Sequence, residues 1–240
     1  MRLISAKAKS IWLLSAAGLL LIPTLYYAWA IHDARIHTQS YVADAYSKWG
    51  SSIDVSIVGS ERIGLLLAVE DPTFYTHRGV DLDTPGAGMT TLTQGLVKLL
   101  YYPNGFKPGI EKIRQTLIAQ YALDALVSKD EQLRLFLNIA YFGTENRQPI
   151  HGFAAASKTY FDKRVPELTD QEFLSLVAMF IGPNALKPGT EENFHRVKLI
   201  ESFLAGKIVP ASVLDVCYEG KQSGSFAEEA LIAFLRLITV

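Results

Sequence analysis

Cysteine is almost missing from these 240 residues. Cys217 stands alone, so no internal disulfide can form and no cysteine-rich zinc knuckle is available. A surplus of either charge is missing too. The 23 Lys and Arg nearly balance 24 Asp and Glu, and a formal net charge of −1 lacks the basic footprint of a nucleic-acid binder. No internal repeat or low-complexity tract divides the chain. With 49% hydrophobic and 20% charged residues, it is neither disordered nor fibrous.

One stretch lacks charge altogether. The 22 residues from Ser10 to Ile31 contain no Asp, Glu, Lys, Arg or His and are rich in Leu, Ile, Tyr and Trp. At about 1.5 Å per residue such a helix crosses a hydrocarbon layer of about 30 Å, with Trp12 and the Tyr26–Trp29 group near its two interfaces. We therefore expect a cytoplasmic tail over 1–10 and a transmembrane anchor over 11–31. Arg2, Lys7 and Lys9 before it orient the N-terminus inwards and the body outwards. Ala28-Trp29-Ala30 offers a cleavable-signal alternative, but signal cores run only to about 7–15 residues. The exported body keeps 20 basic against 24 acidic residues, about −4.

Residues 32–54 are expected to be a linker and 55–240 a single, mainly α domain. Four Ser/Thr-x-x-Glu/Gln boxes, at Thr91/Gln94, Ser128/Glu131, Thr169/Glu172 and Ser225/Glu228, each precede apolar residues at helical spacing. Only Ile53–Val58 alternates like a strand, and it reads equally as an extended lead-in to a helix.

The apolar run Ile63–Val69 ends in Glu70-Asp71-Pro72, and Pro72 cannot continue a helix. Two carboxylates at a helix C-terminus oppose the helix dipole, which a purely structural design would avoid. An apolar approach and an adjacent like charge raise a carboxyl group's pKa towards that of a general base. Solvated turn residues are the plain alternative.

Here the residues carry a resemblance. Glu70-Asp71-Pro72-Thr73-Phe74-Tyr75-Thr76-His77-Arg78-Gly79 resembles the Glu-Asp-x-x-Phe-x-x-His-x-Gly signature of the peptidoglycan glycosyltransferases, family 51, at all five positions. Thr90–Gln94 with Lys98 is similar to the family's Gly-Gly-Ser-Thr-Ile-Thr-Gln-Gln segment and its trailing lysine. Ser128–Gly143 with His151–Phe161 resembles the third and fourth motifs, and Thr169–Pro183 the fifth, so the likeness covers about 55–205 in the family's order. It implies a lysozyme-like bilobal helical domain behind one anchor in the inner membrane, facing the periplasm. It implies polymerisation of lipid II into glycan strands during cell wall synthesis. Lipid II, the growing strand, the membrane and other cell-wall synthesis proteins are the implied partners, and Mg²⁺ is an admissible cofactor.

That chemistry needs a base for the attacking sugar hydroxyl and cations for the departing pyrophosphate. The resemblance makes Glu70 the base. Asp71, His77, Thr91, Gln94, Lys98, Lys107, Lys112, Arg114 and Gln115 are the expected substrate-binding residues, with no protein metal site. On the helix opening at Thr91, residues Thr91, Gln94 and Lys98 share one face, expected to be the site, and Leu92, Leu96 and Leu99 the other, expected to be core. Lys98, Lys107, Lys112 and Arg114 against the single acid Glu111 form a basic cluster within an acidic body. His77 is expected to fix the turn after Glu70, and Glu131 to serve the helix-start box. The acid-free stretch Leu96–Pro103 suits either the membrane surface or the core.

The chain departs from the family at several points. Glu111 stands where the family has arginine, and Gln115 where it has a second functional glutamate. Gln keeps the length but not the charge; Glu111, one turn earlier, is positioned to substitute in part. Met89 and Gly95 replace a glycine and a glutamine. These changes keep two other readings open. One is a degenerate relative that binds lipid II or a synthesis partner; the other is a lysozyme-like hydrolase using Glu70 as an acid. No transpeptidase signature follows residue 205, so a monofunctional enzyme is expected.

Overall fold

Each of the four boxes opens a helix. In a computed structural model, which describes the backbone of residues 6–239 and the side chains of 21–239, Thr91, Ser128, Thr169 and Ser225 all accept from the backbone N–H three residues on. At Thr91, Thr169 and Ser225 the Gln or Glu side chain also returns a bond to the cap, so two orphan donors are satisfied at once. A fifth cap, Thr190, uses Asn193 in place of Glu or Gln and so escapes that pattern.

The chain begins with α1 (Ala6–Trp49), followed by the single turn α2 (Val55–Val58) and α3 (Ser60–Glu70). After a long loop come α4 (Leu92–Tyr101) and α5 (Ile110–Ile118), which widens into a π turn (Ala119–Leu123) and ends in α6 (Asp124–Leu126). Next are α7 (Lys129–Ile139), an antiparallel hairpin of β1 (Tyr141–Glu145) and β2 (Gln148–His151), and α8 (Gly152–Phe161). Then α9 (Asp170–Val177), α10 (Glu191–Leu204) and α11 (Phe226–Ile238) complete the chain. The mainly α expectation holds.

The expected linker needs correction. Residues 32–49 are not a linker but the second half of α1. Their Ala34, Thr38, Val42 and Ala45, together with Ala30, are buried at helical spacing, and small side chains let α1 lie close against α4, α5 and α7. Thr38 and Tyr101 share a hydrogen bond of 2.7 Å, and the Tyr46 hydroxyl donates to Glu131 at 2.7 Å. Leu96 and Leu100 are buried in the core with this half of α1, so most of the Leu96–Pro103 stretch packs inwards. Ile53–Val58 is not a strand, because the Asp54 carboxylate accepts from Ser56 and Ile57 N–H and caps a helical turn. Asn138 pins Ile53 beside it, accepting from its N–H at 3.0 Å and donating to its carbonyl at 2.6 Å. The only sheet among the described residues is the unexpected hairpin, turned by Asn146 and Arg147, both at positive φ.

Of the anchor expected over 11–31, the side chains of 11–20 lie outside the described residues. Leu21, Ile22, Leu25, Tyr26 and Trp29 are exposed. Among the described residues no helix is long and apolar enough to cross a membrane.

Phe142, Phe153 and Phe173 stack through the body's centre, with ring centroids 4.9 and 5.3 Å apart. Phe180 joins them at 5.1 Å from Phe142 and reaches Phe136 on α7 at the same distance. Beyond α10 the chain returns across the 84–90 loop, and α11 is tied down by Arg236, which reaches Asp83 at 2.9 Å and the Leu82 carbonyl at 2.7 Å.

Candidate active site

A cavity of about 460 Å³ opens between the end of α3, the 87–90 loop, α4 and the Phe180–Pro183 segment. Glu70, the last residue of α3, lines it. Burial pushes the Glu70 carboxyl up to about 7, with Asp71 adding to the effect and Arg196 opposing it. Among the described residues no other carboxylate lines this cavity. Lys98 shares its wall, and burial lowers the pKa of that ammonium.

Asp71 faces the other way. Its carboxylate accepts from the Leu92 N–H at 2.8 Å and meets His77 Nε2 at 2.8 Å, so it ties the turn after α3 to the first turn of α4. A carboxylate at a helix N-terminus is also favoured by the dipole. Nδ1 of His77 lies 3.5 Å from Lys129 Nζ, which pairs with Asp124 at 2.7 Å. With Lys129 donating to Nδ1, Nε2–H donates to Asp71. His77 thus braces the turn after Glu70.

The α4 face divides differently from the sequence expectation. Thr91 lines the cavity, but its hydroxyl is engaged, donating to the Gly79 carbonyl at 2.7 Å and accepting from Gln94 N–H. Gln94 points inwards: its amide donates to Thr116 at 2.9 Å, and its side-chain oxygen accepts from the Thr91 N–H. The helix-start box occupies the side chains of Thr91 and Gln94, two of the three expected to face substrate, while Lys98, the third, lines the cavity. The cavity side of α4 is Thr91, Leu92, Gly95, Lys98 and Leu99.

The basic cluster also divides. Lys112 is buried against the cavity's rim, where Nζ donates to the Met89 carbonyl at 2.5 Å and the Thr90 hydroxyl at 3.0 Å. Burial, and then the charge of Lys98, holds its pKa well below the usual lysine value. Arg114 pairs with Glu111 at 3.7 Å and lies over the Tyr102 ring, while Lys107 is exposed; neither lines the cavity. Gln115 is fully buried behind α4, donating to the Gln94 carbonyl at 2.6 Å, and its side-chain oxygen is left without a partner. Glu111 does not stand in for a cavity carboxylate, because it too lies off the wall.

These donors do not fit a protein-held Mg²⁺. Among the described residues Glu70 is the only carboxylate on the wall, and no group of three His, Cys, Asp or Glu side chains is placed to hold a metal ion.

Sequence reasoning passed over Arg196, Val216 and Tyr218. Val216 lines the cavity, and the buried Arg196 guanidinium sits over the Tyr218 ring, 4.5 Å from its centroid. A signal for Arg196 existed. It shares a helical stripe with Asn193, Val197 and Ile200, where an unpaired charge is out of place.

A family model described as transglycosylase matches residues 38–203. Penicillin-binding protein 1B of Buchnera aphidicola is 36% identical over 141 residues, which cover 53% of this chain and 18% of that protein. Penicillin-binding protein 1A of Rickettsia prowazekii is 31% identical over 162 residues, 61% of this chain and 20% of its own. Penicillin-binding protein 1F of Bacillus subtilis is 30% identical over 160 residues, 61% and 22% respectively. The chain spans about a fifth of the length of these relatives. The family match starts within the packed half of α1 and runs through the signature at Glu70–Gly79 to α10, taking in the cavity's walls as far as Pro183. On that coverage, the chain belongs to the transglycosylase family, glycosyltransferase family 51.

Proposed function

We propose that the protein is a peptidoglycan glycosyltransferase that polymerises lipid II into glycan strands. One observation carries the reading: among the described residues Glu70 is the only carboxylate on the cavity wall, with its pKa raised to about 7 and Lys98 on the same wall. A carboxyl poised there is about half carboxylate at neutral pH and largely so at slightly alkaline pH, and is basic enough to accept a proton from a sugar hydroxyl. In the reaction the hydroxyl oxygen of one saccharide bonds to the anomeric carbon of the other. The bond from that carbon to the lipid pyrophosphate breaks, and the hydroxyl proton passes to Glu70. Negative charge then gathers on the pyrophosphate, where Lys98, with Lys112 behind the rim, stabilises it. Thr91 and the 87–90 loop shape the wall beside it. No step is routed through Mg²⁺.

The helical body is consistent with a lysozyme-like domain. On this reading the apolar start of α1 anchors it to the inner membrane in a single pass, with Arg2, Lys7 and Lys9 inside and the cavity on the periplasmic side. Lipid II would then reach the cavity from the same membrane, and other cell-wall synthesis proteins would meet the chain there.

A second reading is favoured by Gln115. With an amide in place of the family's second glutamate, and off the cavity wall, the chain is left to bind lipid II without turning it over. The test is incubation of the detergent-purified full-length protein with labelled lipid II, beside Glu70→Gln, followed by gel analysis. Glycan polymer from the unaltered protein and none from Glu70→Gln is the expected result. Lipid II binding without polymer, equal in both proteins, would overturn transfer in favour of binding. Release of fragments from preformed peptidoglycan would overturn both in favour of a hydrolase.

A further inference from the structure

The family match ends at residue 203, one residue before the end of α10, but the cavity wall does not. Residues 205–225 lie across the loop that forms the rim. Gly86 N–H donates to the Ser212 carbonyl and Gly88 N–H to the Val213 carbonyl, each at 2.9 Å. The approach is close enough to exclude side chains from the loop: a Cβ on Gly86 would lie 2.7 Å from Pro210 Cγ, and one on Gly88 2.8 Å from Val216 Cγ1. Both glycines also have positive φ. The Asp215 carboxylate closes a tight turn beneath, accepting from Ala211, Glu219 and Gly220 N–H at 3.0–3.1 Å.

That turn holds Tyr218 at φ 63, a left-handed conformation unusual for a bulky residue and retained only where its surroundings impose it. The Tyr218 ring is buried between Phe203, whose centroid is 4.5 Å away, and the Arg196 guanidinium at the same distance. Arg196 itself is 5% exposed, and its Nε and Nη1 have no hydrogen-bond partner. The arginine is held by Tyr218, through its ring face and a hydrogen bond to its phenol oxygen, rather than by a carboxylate fork. Val216 lines the cavity with Glu70, its neighbour Cys217 lines the adjoining groove with Arg196, and Ile181 lines both. Arg196 thus stands behind the wall that carries Glu70.

We propose that the segment after α10 is part of the catalytic centre: the Asp215 turn presses Tyr218 under Arg196, and Arg196, so held, is the positioning residue that keeps Glu70 charged and ready as base. The proposal rests on the reading of Glu70 as the base. The charged and titratable groups facing Glu70 are few. Arg196 comes from α10, Asp71 is the next residue, Lys98 stands on the α4 wall, Tyr141 of β1 lines the same cavity and the Tyr218 phenol belongs to the returning segment. From α9, which also packs on α3, Asp170 and Glu172 are taken up by Arg62 and Lys163. Asp71 is engaged by His77 and Leu92 N–H, and burial pushes the Tyr218 phenol up to about 12, which leaves it neutral. Arg196 is therefore the cation that offsets the burial of Glu70 from behind the wall.

The experiment is a carbon-13 NMR titration of the full-length protein in detergent, with the glutamate carboxyl carbons labelled and the Glu70 signal identified by its loss in Glu70→Gln. Arg196→Met is expected to raise the proton affinity of Glu70 roughly tenfold, and Arg196→Lys to restore it towards the original value. Tyr218→Leu, with Arg196 intact but without its ring, is expected to move it part of the way in the same direction. If a folded Arg196→Met protein titrates as the original does, the proposal is wrong; should that variant not fold, an unmoved Glu70 in Tyr218→Leu sinks it equally. Because the titration needs no turnover, absent polymerisation would count against glycosyl transfer and leave this result standing.

Discussion

Glu70 illustrates at the residue scale how a reactive group costs stability. Its carboxyl titrates near 7 in the folded chain instead of the ordinary value near 4.5, so the folded state binds the proton more tightly than the unfolded one. Stability attached to this group is therefore highest at low pH and is lost as pH rises from about 4.5 through about 7. Glu70→Gln should melt at a higher temperature than the original protein at pH 8 and at the same temperature at pH 4. The gain should be of the order of 1 kcal/mol, since the group keeps some contact with water. Melting curves at the two pH values check this, and equal curves at pH 8 would remove the burial argument. Activity runs the opposite way: polymerisation should fall away below about pH 7 as the base is protonated. Gln115 makes the converse case. Its amide donates to the Gln94 carbonyl, so Gln115→Glu would place a buried, unpaired carboxylate against a carbonyl oxygen. It should lower stability by about 2–4 kcal/mol, more so as pH rises, as denaturant titration at pH 5 and pH 8 would show.

Legibility at the scale of elements follows the range of the interaction. The helix starts were readable because a cap acts over three residues, and all four caps are present; at Ser128, however, the Glu131 side chain does not return to the cap as expected but accepts from the Tyr46 hydroxyl. The same boxes misled on the site, since Thr91 and Gln94 were counted as substrate-facing when their side chains are occupied in starting α4. The signature at Glu70–Gly79 was legible, and its division of labour was not. Glu70 looks into the cavity while Asp71, one residue on, turns away to hold Leu92, 21 residues distant. The hairpin escaped notice because Asn146-Arg147 takes a double positive-φ turn without a glycine to announce it. The returning segment was least legible, because its bonds to Gly86 and Gly88 join residues more than 120 apart. Its stability is nevertheless local, resting on the three backbone bonds of Asp215. Asp215→Ala should cost about 1–3 kcal/mol. Hydrogen exchange should quicken at the Gly86 and Gly88 amides and not at Gln94 in α4. Uniform loosening of all three would show that the turn is not a separate unit.

At the scale of the whole molecule, α1 serves two environments along one helix. Its start, so far as described, exposes Leu21, Ile22, Leu25, Tyr26 and Trp29, and its buried face begins at Ala30 and continues through Ala34, Thr38, Val42 and Ala45. The sequence placed a boundary near residue 31 for reasons of charge, and packing changes at the same point, but the second half belongs to the domain instead of linking to it. A chain starting at Ala30 keeps every fully buried residue of α1 among those described, including the bonds of Thr38 with Tyr101 and Tyr46 with Glu131. It should melt within a few degrees of the full-length protein yet no longer sediment with lipid vesicles. A chain starting at Ser51 loses that face entirely. The exposed surface on α4, α5 and α7 would then forfeit burial worth several kcal/mol at about 25 cal/mol per Å², a large part of a domain's stability, so no cooperative melt is expected. If the chain starting at Ser51 melted as sharply as the one starting at Ala30, the second half of α1 would be a tether after all. If the chain starting at Ala30 still bound vesicles as tightly as the full-length protein, membrane attachment would belong to the body and not to the apolar start of α1.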